Sequence, residues 1–301
     1  MSDVLNRLGA LGDRYVDPMV AIDWSSADPA LPWLPLRMLS RAGLGPDRAL
    51  APDLLVRFSR IEFARLCAAG LWLEGLLISR VTGRGFPAHR PVEAKVMLQE
   101  VREETGHGLM FLEMIDRAGL GGVSLLGPTG LLSVVAHRLS PEDAAFWAMV
   151  FVGETVTDQY ALRALHLSGA NDGPLDTRLC PVARQVLALH HRDEARHIAA
   201  ARALLDARVR RMGPSSRRMF AVTLRFLLRR FLRATLYPTA ASLARLGLAD
   251  PREAARAAWA CPERRSLARS CAAPALELLC GLSLAGPDRN ERTARQGGNL
   301  R

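Results

Sequence analysis

A helix that carries His190, Glu194 and His197 presents an imidazole, a carboxylate and a second imidazole on one side, because i, i+4 and i+7 share a face of the 3.6-residue repeat. The order recurs upstream as Glu104-Thr105-Gly106-His107, where the i, i+3 spacing stacks a carboxylate over an imidazole. Two Glu-x-x-His helices, each preceded by a helix with an inward glutamate, are the way a four-helix bundle holds two iron or manganese ions. Glu74 and Glu154 are the candidates for the two lone carboxylates.

The surroundings of each residue sharpen or blunt this reading. Glu74 lies in Leu71-Trp72-Leu73-Glu74-Gly75-Leu76-Leu77, with no basic residue within four positions. A carboxylate buried there is costly unless a cation compensates it; the competing reading is an exposed glutamate on an otherwise apolar helix. Glu62 is a rival, but Arg60 and Arg65 close by suggest an ordinary surface charge pattern. Arg102 and Glu103 beside Glu104 and His107 leave open a simple polar face, whereas Glu154 lies on a seam, Val150 to Thr157, otherwise free of charge. His191 points about 100° away from His190 and reads as a bystander. Asp158 and Asp193 are either acceptors that orient ligand imidazoles or solvated charges.

Taken in order, residues 1–50 are rich in Pro, Asp and Gly and read as loops and short helices over a bundle of residues 51–210. A first long helix is predicted from about Pro52 to Val81, and a second from Pro91 with the stripe Met97, Val101, Glu104, Gly108, Phe111, Ile115. Residues 119–140 are long enough to cross the bundle, as a ferritin-like topology with one long crossover requires. Ser140-Pro141-Glu142-Asp143 predicts the start of the third helix, with Ser140 as cap, and Pro181 that of the fourth. Residues 211–286 read as accessory helices, among them an amphipathic one with Phe220, Leu224, Leu227 and Phe231 opposite Arg218, Arg225, Arg229 and Arg233. Residues 287–301 read as a flexible tail. The fold class expected is all-α.

Depth along the helices offers a check. Glu154 lies 14 residues before Ser168 and Glu194 lies 13 after Pro181, so these two are level. Glu74 lies 7 before Val81 while Glu104 lies 13 after Pro91, an offset of about 9 Å at ~1.5 Å per residue.

The net charge of +10 comes almost wholly from arginine, Lys95 being the single lysine. Such a field favours anionic partners, whether a carboxylate substrate, an acidic carrier protein or a redox protein. No zinc finger or aromatic RNA-binding signature accompanies it, which argues against nucleic acid. Five cysteines without a Cys-x-x-Cys pair point to reduced thiols and a cytoplasmic protein. The first twenty residues lack the apolar run of a signal peptide, and arginines interrupt Phe220 to Leu236, so no membrane span is expected.

The series Glu74, Glu104-x-x-His107, Glu154, Glu194-x-x-His197, with 30 residues from the first glutamate to the second, resembles the non-haem di-iron carboxylate proteins. With His190 one turn before Glu194, inside Arg192-Asp193-Glu194-Ala195-Arg196-His197, it resembles the arylamine N-oxygenases related to the para-aminobenzoate N-oxygenase, over about residues 55 to 210. In that family a third histidine joins four carboxylates and two histidines. The resemblance implies two iron ions held by all seven residues, with Glu104 and Glu194 bridging. It also implies dioxygen as co-substrate, an external electron donor (a reductase or redox protein) and a homodimer. The implied substrate is a small-molecule or carrier-linked amine, oxidised through hydroxylamine and nitroso stages to nitro. A di-iron hydroxylase or desaturase acting on carbon, and a non-catalytic ferritin-like iron-binding protein, are the competing readings.

Overall fold

The structure is a computed structural model that describes residues 2–41, 51–83, 89–126, 129–169 and 174–281. Among these it contains helices and no strand: α1 (Ser2–Gly12), α2 (Pro18–Ala21), α3 (Pro52–Thr82), α4 (Pro91–Arg117), α5 (Gly130–Ala136), α6 (Ala144–Leu167), α7 (Pro181–Val209), α8 (Pro214–Leu236), α9 (Ala240–Ala244), α10 (Pro251–Ala260) and α11 (Pro262–Gly281). The fold is the all-α, ferritin-like bundle that the helical spacing predicts. The expected tail, 287–301, lies outside the described residues.

α3, α4, α6 and α7 form the bundle, with the hairpins α3–α4 and α6–α7 each packed along their length. Proline opens α3, α4 and α7, where its fixed φ suits the first turn and its missing N–H costs nothing. Phe58, Phe63 and Leu77 of α3 meet Met110 and Met114 of α4, Phe146 and Val156 of α6, and Val186 and Leu204 of α7 in one continuous core. Two glycines set the closest helix approaches. A Cβ on Gly70 would lie 2.3 Å from the Phe111 ring, and one on Gly153 would lie 2.4 Å from Leu73 Cδ2.

The depth offset between Glu74 and Glu104 is absorbed at the hairpin end. Glu74 lies 8 residues before Thr82 and Glu104 lies 13 after Pro91, so α4 begins about 7 Å beyond the end of α3 and the two glutamates still come level.

Two local expectations are corrected. The third helix begins at Ala144 rather than at Pro141. Ser140, Glu142 and Asp143 close a turn of their own: Ser140 Oγ accepts from the Glu142 N–H, and Asp143 Oδ2 from the Ser140 N–H. The Pro141 carbonyl, which a helix would consume, accepts instead from Trp147 Nε1 at 2.6 Å and Arg208 Nε at 2.9 Å. Glu62, read as a surface charge, is buried and paired with Arg264 Nη2 at 3.0 Å. Its neighbours Arg60 and Arg65 turn elsewhere, Arg65 to the carbonyls of Leu125, Ala234 and Tyr237.

Around the bundle, α1 packs on α4 and α7, α8 covers parts of α3, α5 and α6, and α11 lies along α6. Asp250 caps α10 by accepting from the Arg252 and Glu253 N–H groups. No helix among the described residues is long and apolar enough to cross a membrane.

Candidate metal centre

The bundle delivers one side chain from α3 (Glu74), two from α4 (Glu104, His107), one from α6 (Glu154) and three from α7 (His190, Glu194, His197), all buried. Glu104 and Glu194 stand at the middle. Glu104 Oε2 is 3.2 Å from His107 Nδ1, and its Oε1 is 3.1 Å from His197 Nδ1. Glu194 Oε1 is 3.0 Å from His190 Nε2, 3.6 Å from His197 Nδ1 and 3.8 Å from His107 Nδ1. Glu74 Oε1 lies 3.7 Å from His190 Nε2 and 3.9 Å from His107 Nδ1.

Two sets of donor atoms are close enough for a shared ion, Glu104, His107, Glu194 and His197 in one and Glu74, His107 and His190 in the other. Glu154 stands outside both sets and beside Glu194, the charge that most strongly repels its own after burial itself.

These residues fit metal ions on a direct structural count. Both carboxylate oxygens of Glu74 and of Glu194, one each of Glu104 and Glu154, and the inward nitrogens of His190 and His197 are buried without a hydrogen-bond partner. Buried polar atoms are rarely left so, and a cluster of hard oxygens with imidazoles matches the preferences of iron or manganese. Electrostatics agrees. Burial pushes the Glu74 carboxyl up to about 7 against the pull of His190, and burial with Glu194 and Glu104 raises Glu154 well above the usual range. Glu104 is brought down to about 2, because His197 and His107 outweigh its burial. Burial opposes the imidazolium of His190 and of His107, yet the facing carboxylates push the two up to about 10 and about 9.

The outward nitrogens are held as well. His107 Nε2 lies 3.5 Å from Asp193 Oδ2, while His197 Nε2 lies 3.1 Å from Glu103 Oε2 and 3.7 Å from Glu100 Oε2. Arg196 then bridges that acidic pair, at 2.6 Å to Glu100 and 2.5 Å to Glu103. Asp193 therefore takes the orienting place that the sequence left open, whereas Asp158 pairs with His191 rather than with a cluster imidazole. Glu100, Glu103 and Arg196 escaped the sequence reading. The signal was present in Glu100, one helical turn before Glu104, and in an arginine next to a ligand-type histidine.

Proton release follows from these shifts. His107 and His190, pushed up to about 9 and about 10, hold protons near neutral pH in the metal-free cluster; the facing carboxylates raise His197 against its burial, burial and Glu194 raise Glu154, and ligation requires the bare forms. Loading with Co(II) or Fe(II) is expected to release protons, those of His107 and His190 among them, with affinity rising with pH, as titration calorimetry in buffers of different ionisation enthalpy would show. Without metal, raised imidazoles stabilise the fold below their ordinary range, and that gain is lost as pH climbs toward about 10; Glu74 acts in the same sense up to about 7.

A narrow apolar pocket with a free volume of about 20 Å³ reaches His190, walled by Phe63, Leu66, Cys67, Phe111 and Leu187. The polar groups on its lining are the Thr157 hydroxyl, which donates to the carbonyls of its own helix, and the His190 ring.

The family model for P-aminobenzoate N-oxygenase AurF matches residues 2–282. The uncharacterized protein MT0908 of Mycobacterium tuberculosis (strain CDC 1551 / Oshkosh) is 26% identical over 234 residues, 75% of this chain and 66% of that protein. The uncharacterized protein Mb0909 of Mycobacterium bovis (strain ATCC BAA-935 / AF2122/97) is 27% identical over 208 residues, 66% of this chain and 58% of that protein. The chain thus spans between 58% and 66% of the length of these curated relatives.

Proposed function

Since the chain belongs to the P-aminobenzoate N-oxygenase AurF family, we propose that it is a non-haem di-iron oxygenase that oxidises an amine, aryl amine above others, through hydroxylamine and nitroso stages to nitro. The observation that supports this most is the buried set of four carboxylates and three imidazoles, in which Glu74, Glu104, Glu154, Glu194, His190 and His197 each present an inward atom without a hydrogen-bond partner. Glu74, Glu104, His107, Glu154, His190, Glu194 and His197 would hold the ions. Glu104 and Glu194 suit the bridging positions, each facing more than one imidazole. Bound there, the irons would supply redox chemistry, activating dioxygen with electrons from an external donor.

The chain's own residues do the rest. Asp193 and Glu103 accept at the outward nitrogens of His107 and His197, which fixes the tautomer that turns a bare Nδ1 inward. Against the effect of burial, His197 and then Arg196 hold the Glu103 carboxyl below its usual range. The apolar walls of Phe63, Leu66 and Phe111 keep water from the reacting centre, with His190 where pocket and cluster meet. A redox protein or reductase as donor, an acidic carrier as an alternative presenter of the substrate, a homodimer and a cytoplasmic location belong to the same reading; the net charge of +10 favours acidic partners.

The deciding experiment is a single turnover of the iron-loaded, reduced protein with an aryl amine under labelled dioxygen, followed by mass spectrometry. Label on nitrogen supports the reading; label on carbon alone, or an untouched amine, overturns it. His190→Ala is expected to retain most of its iron and lose amine oxidation by about tenfold or more. Unchanged turnover would remove His190 from the proposal.

A further inference from the structure

The apolar pocket beside His190 lies inside the bundle, displaced from the cluster along the bundle axis. All four helices wall it at matching depth. Cys67 stands 7 residues before Glu74 on α3, Phe111 7 after Glu104 on α4, Ala161 7 after Glu154 on α6 and Val186 8 before Glu194 on α7. At ~1.5 Å per residue each wall is about 10–12 Å along its helix from the cluster carboxylate of the same helix. His190, four residues before Glu194, closes the end that faces the cluster. Its ring lies 5.1 Å from that of Phe111, centre to centre, while its Nε2 is 3.0 Å from Glu194 and 3.7 Å from Glu74. One imidazole is thus both pocket wall and cluster member.

Size and polarity decide what the pocket can hold. A void takes one water-sized molecule at about 10–15 Å³ of free space. The free volume of about 20 Å³ therefore holds one small molecule and excludes an aromatic ring. Water is disfavoured there, because a buried water needs about two to four polar partners. The Thr157 hydroxyl already donates to the Gly153 and Glu154 carbonyls, at 3.1 Å each, and His190 Nε2 is turned to the carboxylates. Cys67 adds only a weak thiol donor, and the other side chains on the lining are hydrocarbon. Every lining residue is buried except Leu66, which is half-buried, so the pocket is shut off from bulk solvent.

We propose that this pocket is a dry chamber for dioxygen, which holds one molecule of the gas against the His190 ring at the edge of the cluster. The identity of the gas rests on the oxygenase reading above; the size, dryness and position of the chamber rest on its walls. Dioxygen is an apolar diatomic that leaves water readily for hydrocarbon surroundings, as xenon does when it enters dry protein cavities. Ala161 is the sensitive wall. It is 1% exposed and presents a single methyl group to the void from α6, so a longer side chain there fills it.

Xenon tests the chamber without any metal. Crystals of the full chain under xenon pressure are expected to show one atom between Phe111, Ala161 and His190, and xenon-129 resonance in solution is expected to report a saturable site. Ala161→Leu is expected to weaken xenon binding at least about fivefold; Ala161→Val is the milder version should the larger side chain unfold the protein, and thermal unfolding checks both. In the iron-loaded, reduced chain, the same substitution is expected to slow the second-order reaction with dioxygen about tenfold, with iron content and the spectrum of the Co(II)-loaded protein unchanged. An ordered water in the void, no saturable xenon site, xenon binding indifferent to both substitutions, or an unchanged dioxygen rate in folded, fully loaded Ala161→Leu overturns the chamber. A dioxygen rate that falls with Ala161→Leu while no amine is oxidised upholds the chamber and removes the amine reading instead.

Discussion

Replacing Glu194 by alanine is expected to abolish metal loading and amine oxidation together. Its Oε1 faces all three cluster imidazoles within 3.8 Å, and neither of its oxygens has a hydrogen-bond partner. His190 and His197 hold it well below the usual carboxylate range despite full burial, so it is the charge the cluster keeps under all ordinary conditions. Alanine leaves Glu104 without its companion carboxylate at the middle of the cluster. The loss of several kcal/mol of transition-state stabilisation corresponds to about 10³-fold or more in rate. Iron content by elemental analysis and single-turnover product yield measure the two effects, with Glu194→Gln as the isosteric control. Full iron content in Glu194→Ala would show that the cluster is not the metal centre.

The second large effect lies one layer out. Arg196→Leu leaves the Glu100 and Glu103 carboxylates, both buried, without the guanidinium that faces them at 2.6 and 2.5 Å. Breaking a buried ion pair from one side costs about 3–5 kcal/mol, far more than a surface pair is worth. Thermal unfolding of the metal-free protein is expected to fall by roughly 10 °C. Metal affinity, read by chelator competition, is expected to drop about 10–100-fold, because Glu103 no longer fixes the His197 ring. Arg196→Lys restores the charge without the two-pronged geometry and should recover stability more than affinity. An Arg196→Leu protein with unaltered melting and affinity would mean that Glu103 does not depend on Arg196.

What could be read from the sequence was what a single helix fixes. The i, i+3 and i+4 spacings on α4 and α7 put carboxylate and imidazole on one side whatever surrounds them, and the helix-opening prolines placed three of the four bundle helices. What could not be read was set by partners far along the chain. Glu62 carries two nearby arginines in sequence but pairs with Arg264, 202 residues on. Glu103 read as part of a possible polar face, and Glu100 drew no reading, because Arg196, their counter-ion, comes from α7. Ser140-Pro141-Glu142-Asp143 has the composition of a helix start, yet Trp147 and Arg208 claim the Pro141 carbonyl that a first turn would use. In each case a tertiary contact overrode a sound local rule. The apolar stripe of α8 was visible opposite its arginines; the helices it covers, α3, α5 and α6, were not.

The partnerless oxygens at the middle of the bundle have a consequence for the life of the protein in a cell. Only the folded chain gathers these seven groups, so each ion taken up draws the population toward the folded form by mass action. The empty chain keeps its worst-matched atoms at mid-helix, where α3 and α6 meet α7, and opens there more readily than the filled one. Proteases harvest such openings. Abundance is therefore expected to track the supply of iron, with starvation shortening the half-life of the chain before any change in its synthesis.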